Sequence, residues 1–187
     1  MSSSKKPGAP DAARRDAARK QILDLLDGAK ERHEKAFPGA DGDALQYFAH
    51  LSAIRQLSES LFARWLKPHR ISYSEYRVLS SLRTRGRDFR ATPLELNRVA
   101  QITSAGMTRT LDRLEAAGYV EREPNPSDRR SVHVGLTREG WAFAATLAGE
   151  LGEHYTEILE GVGKKRLAEE TKTLRAAVER LADAVTR

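Results

Sequence analysis

Between Arg83 and Arg138 the chain carries eleven arginines and no lysine, against seven aspartates and glutamates. A guanidinium group is planar, permanently charged and forked, which suits it to bidentate contact with phosphate or with the edge of guanine. Two of these arginines, Arg129 and Arg130, are adjacent. A third, Arg109, shares a helical face with Ser104, Ala105 and Thr108, while Met107, Leu111 and Leu114 fall on the opposite face. That polar face is a candidate surface for base edges and phosphates, with Arg109 as the reader of guanine.

Reactive chemistry has no comparable signature. There is no nucleophile elbow, no phosphate-cradling glycine loop and no Ser/His/Asp constellation, so no catalytic residue is assigned and an enzyme is not expected. The chain lacks cysteine, which excludes disulfides and thiol redox sensing. Its histidines, His33, His50, His69, His133 and His154, never fall at a metal-ligand spacing, so neither a metal nor a cofactor is expected. A net charge of +6 permits a polyanionic partner. No apolar run approaches the ~18 residues needed to span a membrane, and the N-terminus lacks the pattern of a signal peptide. Together these point to a cytoplasmic protein.

The elements that must position these arginines can be read from start and stop signals. Thr92-Pro93-Leu94-Glu95 is a capping box with proline at the first helical position. A second start follows at Thr103 or Ser104, and Gly118 is placed to end that helix in a left-handed conformation. Two helices joined by about four residues make a helix-turn-helix, whose second helix commonly enters a DNA major groove. Tyr119 to Glu123 is strand-like, Pro124 to Asp128 is turn chemistry, and Val132, Val134 and Leu136 alternate as a return strand. This hairpin, with Arg129 and Arg130 at its tip, completes a winged helix-turn-helix.

The stretch NPSDRRSVHVGLTREG resembles the wing of the MarR family, which reads D-x-x-D-R-R followed by alternating residues and L-T-x-x-G. SAGMTRTLDRLEAAGYVER is similar to that family's recognition helix and first wing strand, and the two motifs lie at the family's separation. The resemblance runs from about Asp43 to Arg187. It implies a ligand-responsive regulator, most often a repressor, that binds double-stranded DNA as a homodimer. It implies that one of Arg129 and Arg130 reaches the minor groove and the other pairs with Asp112 or Asp128, carboxylates that position the wing rather than touch DNA.

Outside the winged segment the chain reads as helices. Residues 1–10 are expected to be a disordered tail. Residues 11–70 hold a helix capped by Asp11 that frays at Phe37-Pro38-Gly39, then a longer one opened by Asp41 and closed at Lys67-Pro68. Ser72-Tyr73-Ser74-Glu75 opens the winged domain, residues 71–137, with another capping box. Residues 138–187 form two amphipathic helices separated by Gly161-Val162-Gly163. Their apolar stripes exceed what a small winged domain can cover, so they and the N-terminal helices are expected to pair two subunits. The fold class is therefore mainly α with a small β-hairpin wing, plus N- and C-terminal dimerisation helices. A winged-helix module for protein association is the alternative function.

A helix preceding the usual MarR start resembles the PecS-like, urate-responsive branch. By that resemblance a ligand pocket would involve His33, Arg77, Thr110 and Arg122. Of these, Arg122 alone matches the branch; His33, Arg77 and Arg122 would make such a pocket more cationic, which points to a small anionic or aromatic effector.

Overall fold

A computed structural model describes residues 9–100, 102–125 and 131–186, with side chains described from residue 16 onward. The chain divides into two compact units, Met1–Arg70 and Ile71–Arg187.

The first unit holds α1 (Ala9–Asp27), α2 (Ala29–Ala36) and α3 (Gly42–Leu66), closed by a single 3₁₀ turn at Lys67–His69. Where one helix running to Phe37 was expected, Gly28 divides the segment into two, and α1 begins two residues before Asp11. Glycine in a helix interior costs about 1 kcal/mol relative to alanine. Here it also leaves room for the Arg32 guanidinium, which lies across Gly28 and donates to the Leu25 carbonyl. Asp41 caps α3 by accepting from the Ala44 amide at 3.0 Å. Lys30 on α2 meets Asp43 on α3 at 2.6 Å, and that carboxylate raises the lysine pKa.

The second unit is the winged domain together with the last two helices. It comprises α4 (Tyr73–Thr84), α5 (Pro93–Ala100), α6 (Ser104–Ala116), strands β1 (Val120–Pro124) and β2 (Val132–Leu136), α7 (Arg138–Ile158) and α8 (Lys164–Val185). β1 and β2 are antiparallel in the register Val120↔Leu136, Arg122↔Val134 and Pro124↔Val132. An isolated bridge joins Ala91 to Val134, giving the hairpin a third, one-residue edge. The core is apolar and continuous across these elements: Val78, Leu79 and Leu82 from α4, Leu96 from α5, Met107, Leu111 and Leu114 from α6, Val120 and Val134 from the hairpin, and Leu147 and Leu151 from α7.

The capping signals explain why each element stops and starts where it does. Ser72 forms a complete capping box with Glu75, and Thr92 forms the same arrangement with Glu95. α6 ends in a Schellman motif: Gly118 sits at φ +74°, its amide donates to Glu115 and that of Tyr119 to Leu114, both at 2.9 Å. α7 then passes so close to the hairpin that a Cβ on Gly140 would overlap the Tyr119 carbonyl. Tyr119 stacks on Phe143 with ring centroids 4.2 Å apart. Arg83 of α4 lies over the Trp141 ring at 4.3 Å and donates to its carbonyl at 2.7 Å.

α8 differs from the others. Ala177 is buried, but Leu174, Val178, Leu181 and Val185 are exposed, Val178 by 64% and Val185 by 87%. The amphipathic stripe that the sequence shows on α8 is therefore left uncovered within one chain.

Candidate nucleic-acid interface

The helix-turn-helix is built by two caps. The Thr92–Glu95 box starts α5, and the bonds from the Thr92 backbone N–H and then its hydroxyl hold the Glu95 carboxyl below the usual carboxylate range. Thr103 starts α6, its hydroxyl accepting from the Gly106 amide at 3.2 Å. With Met107, Leu111 and Leu114 buried, the pitch of the helix turns Ser104, Ala105, Thr108 and Arg109 outward, and all four are exposed. Ser104 accepts from the Asn97 side chain at 3.4 Å, linking the two helices of the motif. Arg109 makes no hydrogen bond or ion pair among the described residues. An exposed polar face carrying an uncommitted guanidinium can accept either a phosphate or a base edge.

Thr110 is buried (7%) on the inner side of α6. Arg77, on α4, donates to the Val99 carbonyl at the end of α5 and lies 5.7 Å from the Tyr73 ring centroid. His33 belongs to the first unit, where its ring packs against Phe37 at 4.7 Å. Both residues line a groove of about 460 Å³ whose walls include Leu25, Arg32 and Ala53.

Arg122 is brought together with acids of the recognition helix. It projects from β1 to α6 and places Nη1 2.8 Å from Glu115 and Nη2 2.8 Å from Asp112. Asp112 thus anchors the root of the wing. The wing arginines Arg129 and Arg130, and Asp128, lie outside the described residues. Asn125, the residue after β1, donates to the Ser131 hydroxyl at 2.8 Å.

Arg90 was not singled out from the sequence, yet it holds the other face of β1. It lies over Gly135, where a Cβ would collide with its guanidinium, and contacts Glu121 at 2.9 Å and Glu123 at 3.1 Å. β1 is therefore clamped through alternate residues: Glu121 and Glu123 to the segment before α5, Arg122 to α6. The alternation E-R-E on a strand with an arginine just upstream of the capping box was the available signal. No group of three or more potential metal ligands occurs among the described residues.

A short recognition helix, a preceding helix at its back and a clamped hairpin form the reading head of a winged helix-turn-helix. The MarR family profile matches residues 71–132, the span from α4 to the start of β2. The HTH-type transcriptional regulator PecS of Dickeya dadantii is 32% identical over 145 residues, covering 77% of this chain and 84% of PecS. The chain belongs to the MarR family. It is a transcriptional regulator of that family, with the winged fold expected from its sequence. The multiple antibiotic resistance protein MarR of Escherichia coli is 34% identical over 121 residues, covering 65% of this chain and 80% of MarR. A crystal structure of an E. coli MarR variant complexed with operator DNA aligns at a TM-score of 0.63 and 28% identity, covering 74% of this chain and 99% of that one. BldR of Sulfolobus solfataricus, at 24% identity and a TM-score of 0.63, shares the fold.

Proposed function

We propose that this MarR-family chain works as a homodimeric, cytoplasmic repressor that reads a pseudo-palindromic operator and lets it go when a small anionic or aromatic ligand binds. The observation that carries the DNA-reading part is the outward face of α6. Ser104, Ala105, Thr108 and Arg109 are all exposed there, and the E. coli MarR variant of similar fold was solved with operator DNA. In this reading Arg109 contacts guanine, Ser104, Ala105 and Thr108 contact neighbouring bases and phosphates, and Arg129 and Arg130 extend the contact from the wing. Asp112 and Asp128 hold the wing rather than touch DNA, since a carboxylate beside phosphates is repelled.

The exposed stripe on α8 supports a second subunit as its cover, because an apolar surface of this kind is costly to leave in water. Two subunits present two recognition helices, with half-sites about 10 base pairs apart. Among the described residues no helix is long and apolar enough to cross a membrane, in keeping with a protein that meets chromosomal DNA.

For the ligand, Arg122 is the pivot. Its guanidinium is shared by Asp112 and Glu115 of the recognition helix. An anion that competes for it would loosen wing from helix, and a ligand favouring that loosened state shifts the population away from the DNA-binding form. Arg77 and Thr110 join Arg122 in the proposed ligand set, while His33, with Arg32, Ser52 and Gln56, lends polar groups to a groove of the first unit.

Selection of bound fragments from the host genome, followed by footprinting, tests the reading. A symmetric footprint is expected, and affinity should fall with salt by a log–log slope of about −0.9 per phosphate contacted. Protection of a single asymmetric half-site by one chain would refute the dimer. Titrating small organic acids against the protein–DNA complex tests the effector, with Arg122→Ala as control. Release that persists unchanged in the variant removes Arg122 from the site.

A further inference from the structure

α6 is held in place by apolar contacts at Met107, Leu111 and Leu114, and such contacts are non-directional. They decide which face of the helix turns inward, and a directional polar contact can refine its rotation about its own axis. Rotation is what decides where Arg109 points, and a buried carboxylate on a neighbouring helix bears on it. Glu75, near the start of α4, is 3% exposed. Its Oε2 accepts from the Ser72 amide at 2.5 Å and from the Ser72 hydroxyl at 2.8 Å. Its other oxygen, Oε1, lies 3.0 Å from Nε of Arg113 on α6.

The capping box uses one oxygen and no net charge, since glutamine serves at that position as well as glutamate. The second oxygen and the charge are therefore surplus to the cap. A buried carboxylate is costly unless it is paired, and Arg113 is the partner it has. Arg113 follows Arg109 by four residues, so the two lie on neighbouring turns of one face. Its side chain is 66% exposed, so that face also looks to solvent.

We propose that Glu75 is a positioning residue for DNA reading: by holding Arg113 it sets the rotation of α6 and hence the direction of Arg109. This rests on the DNA-reading function proposed above. With Arg122 drawing Asp112 and Glu115 toward β1, α6 is held from two elements by charge as well as by its apolar side. The competing role is for Arg113 to contact a phosphate directly, with Glu75 only restraining it.

Four proteins separate these roles: wild type, Glu75→Gln, Arg113→Gln and the double variant. Each is titrated with a duplex recovered from a random-sequence library by the wild type, and with a scrambled duplex, over a range of salt. Positioning predicts that each single variant loses about tenfold in affinity for the selected duplex, as coupled neighbours commonly do. The scrambled duplex should lose less, the salt slope should stay the same, and the double variant should be no worse than either single one. An unchanged ratio of selected to scrambled affinity in Glu75→Gln overturns the proposal. So does additivity, or a slope shallower by about 0.9 in Arg113→Gln, which marks a phosphate contact. Should Glu75→Gln fail to fold, Arg113→Gln and Arg113→Lys decide alone, with lysine expected to recover only part of the ratio. A wild type that selects no sequence defeats the DNA-reading function itself, a result distinct from any of these.

Discussion

Replacing Arg122 by glutamine tests the clamp between wing and recognition helix. The guanidinium is 26% exposed, and its partners Asp112 and Glu115 are 55% and 41% exposed. Solvent therefore screens both pairs, and each is worth about 0.2–1 kcal/mol. Removing the arginine also leaves Asp112 and Glu115 as like charges three residues apart on one helix, a further ~0.2–0.5 kcal/mol. The sum is about 0.6–2.5 kcal/mol, or a fall in melting temperature of roughly 2–12 °C for a unit of this size. Because the effect is electrostatic and partly exposed, most of it should vanish in 1 M salt, where the Debye length is about 3 Å. Thermal melts of wild type, Arg122→Gln, Asp112→Asn and the double variant at low and high salt give the coupling directly. No coupling at low salt would mean that the fork does not form in solution. A loss of ~4 kcal/mol that salt leaves untouched would mean that Arg122 acts as packing, and the idea of an anion competing for it would fall with that result.

Arg109→Ala should cost about 1–3 kcal/mol on a selected operator and little on scrambled DNA, whereas Arg129→Ala with Arg130→Ala should weaken both alike. Equal losses for Arg109→Ala on the two duplexes would remove it as a reader. Leu174→Glu with Val178→Glu should give monomers by sedimentation, because a charge on each position disfavours burial of the α8 stripe; a dimer of unchanged affinity would place the interface elsewhere. Glu95 has its pKa lowered by the Thr92 bonds, so its contribution is present above the unfolded-state pKa of a glutamate. It is lost as pH falls through the lower folded-state value. Glu95→Gln, which retains a capping side chain, should therefore flatten the acid limb of a stability–pH profile below about pH 4.5; an identical limb in the variant would contradict the shift.

The helix starts and stops of the winged domain were legible because they are local. Thr92-x-x-Glu95, Ser72-x-x-Glu75 and Gly118 each satisfy backbone groups within a few residues, so spacing alone carries the signal. The family and its fold followed from the same short range, through the ordered recognition-helix and wing motifs. The broken N-terminal helix was missed because Gly28 in a helical pattern reads as tolerable until Arg32 is seen lying across it. What the sequence could not display were partners far apart along the chain. Arg90 reaches Glu121 and Glu123, Glu75 reaches Arg113, and Gly140 makes room for the Tyr119 carbonyl. Each of these depends on two elements being packed together, and periodicity within one element is silent about which charge on another will face it. The reading head is legible along the chain because capping and helical pitch act over one or two turns. How that head is held is not, because charge pairing acts across space between segments that the chain order keeps apart.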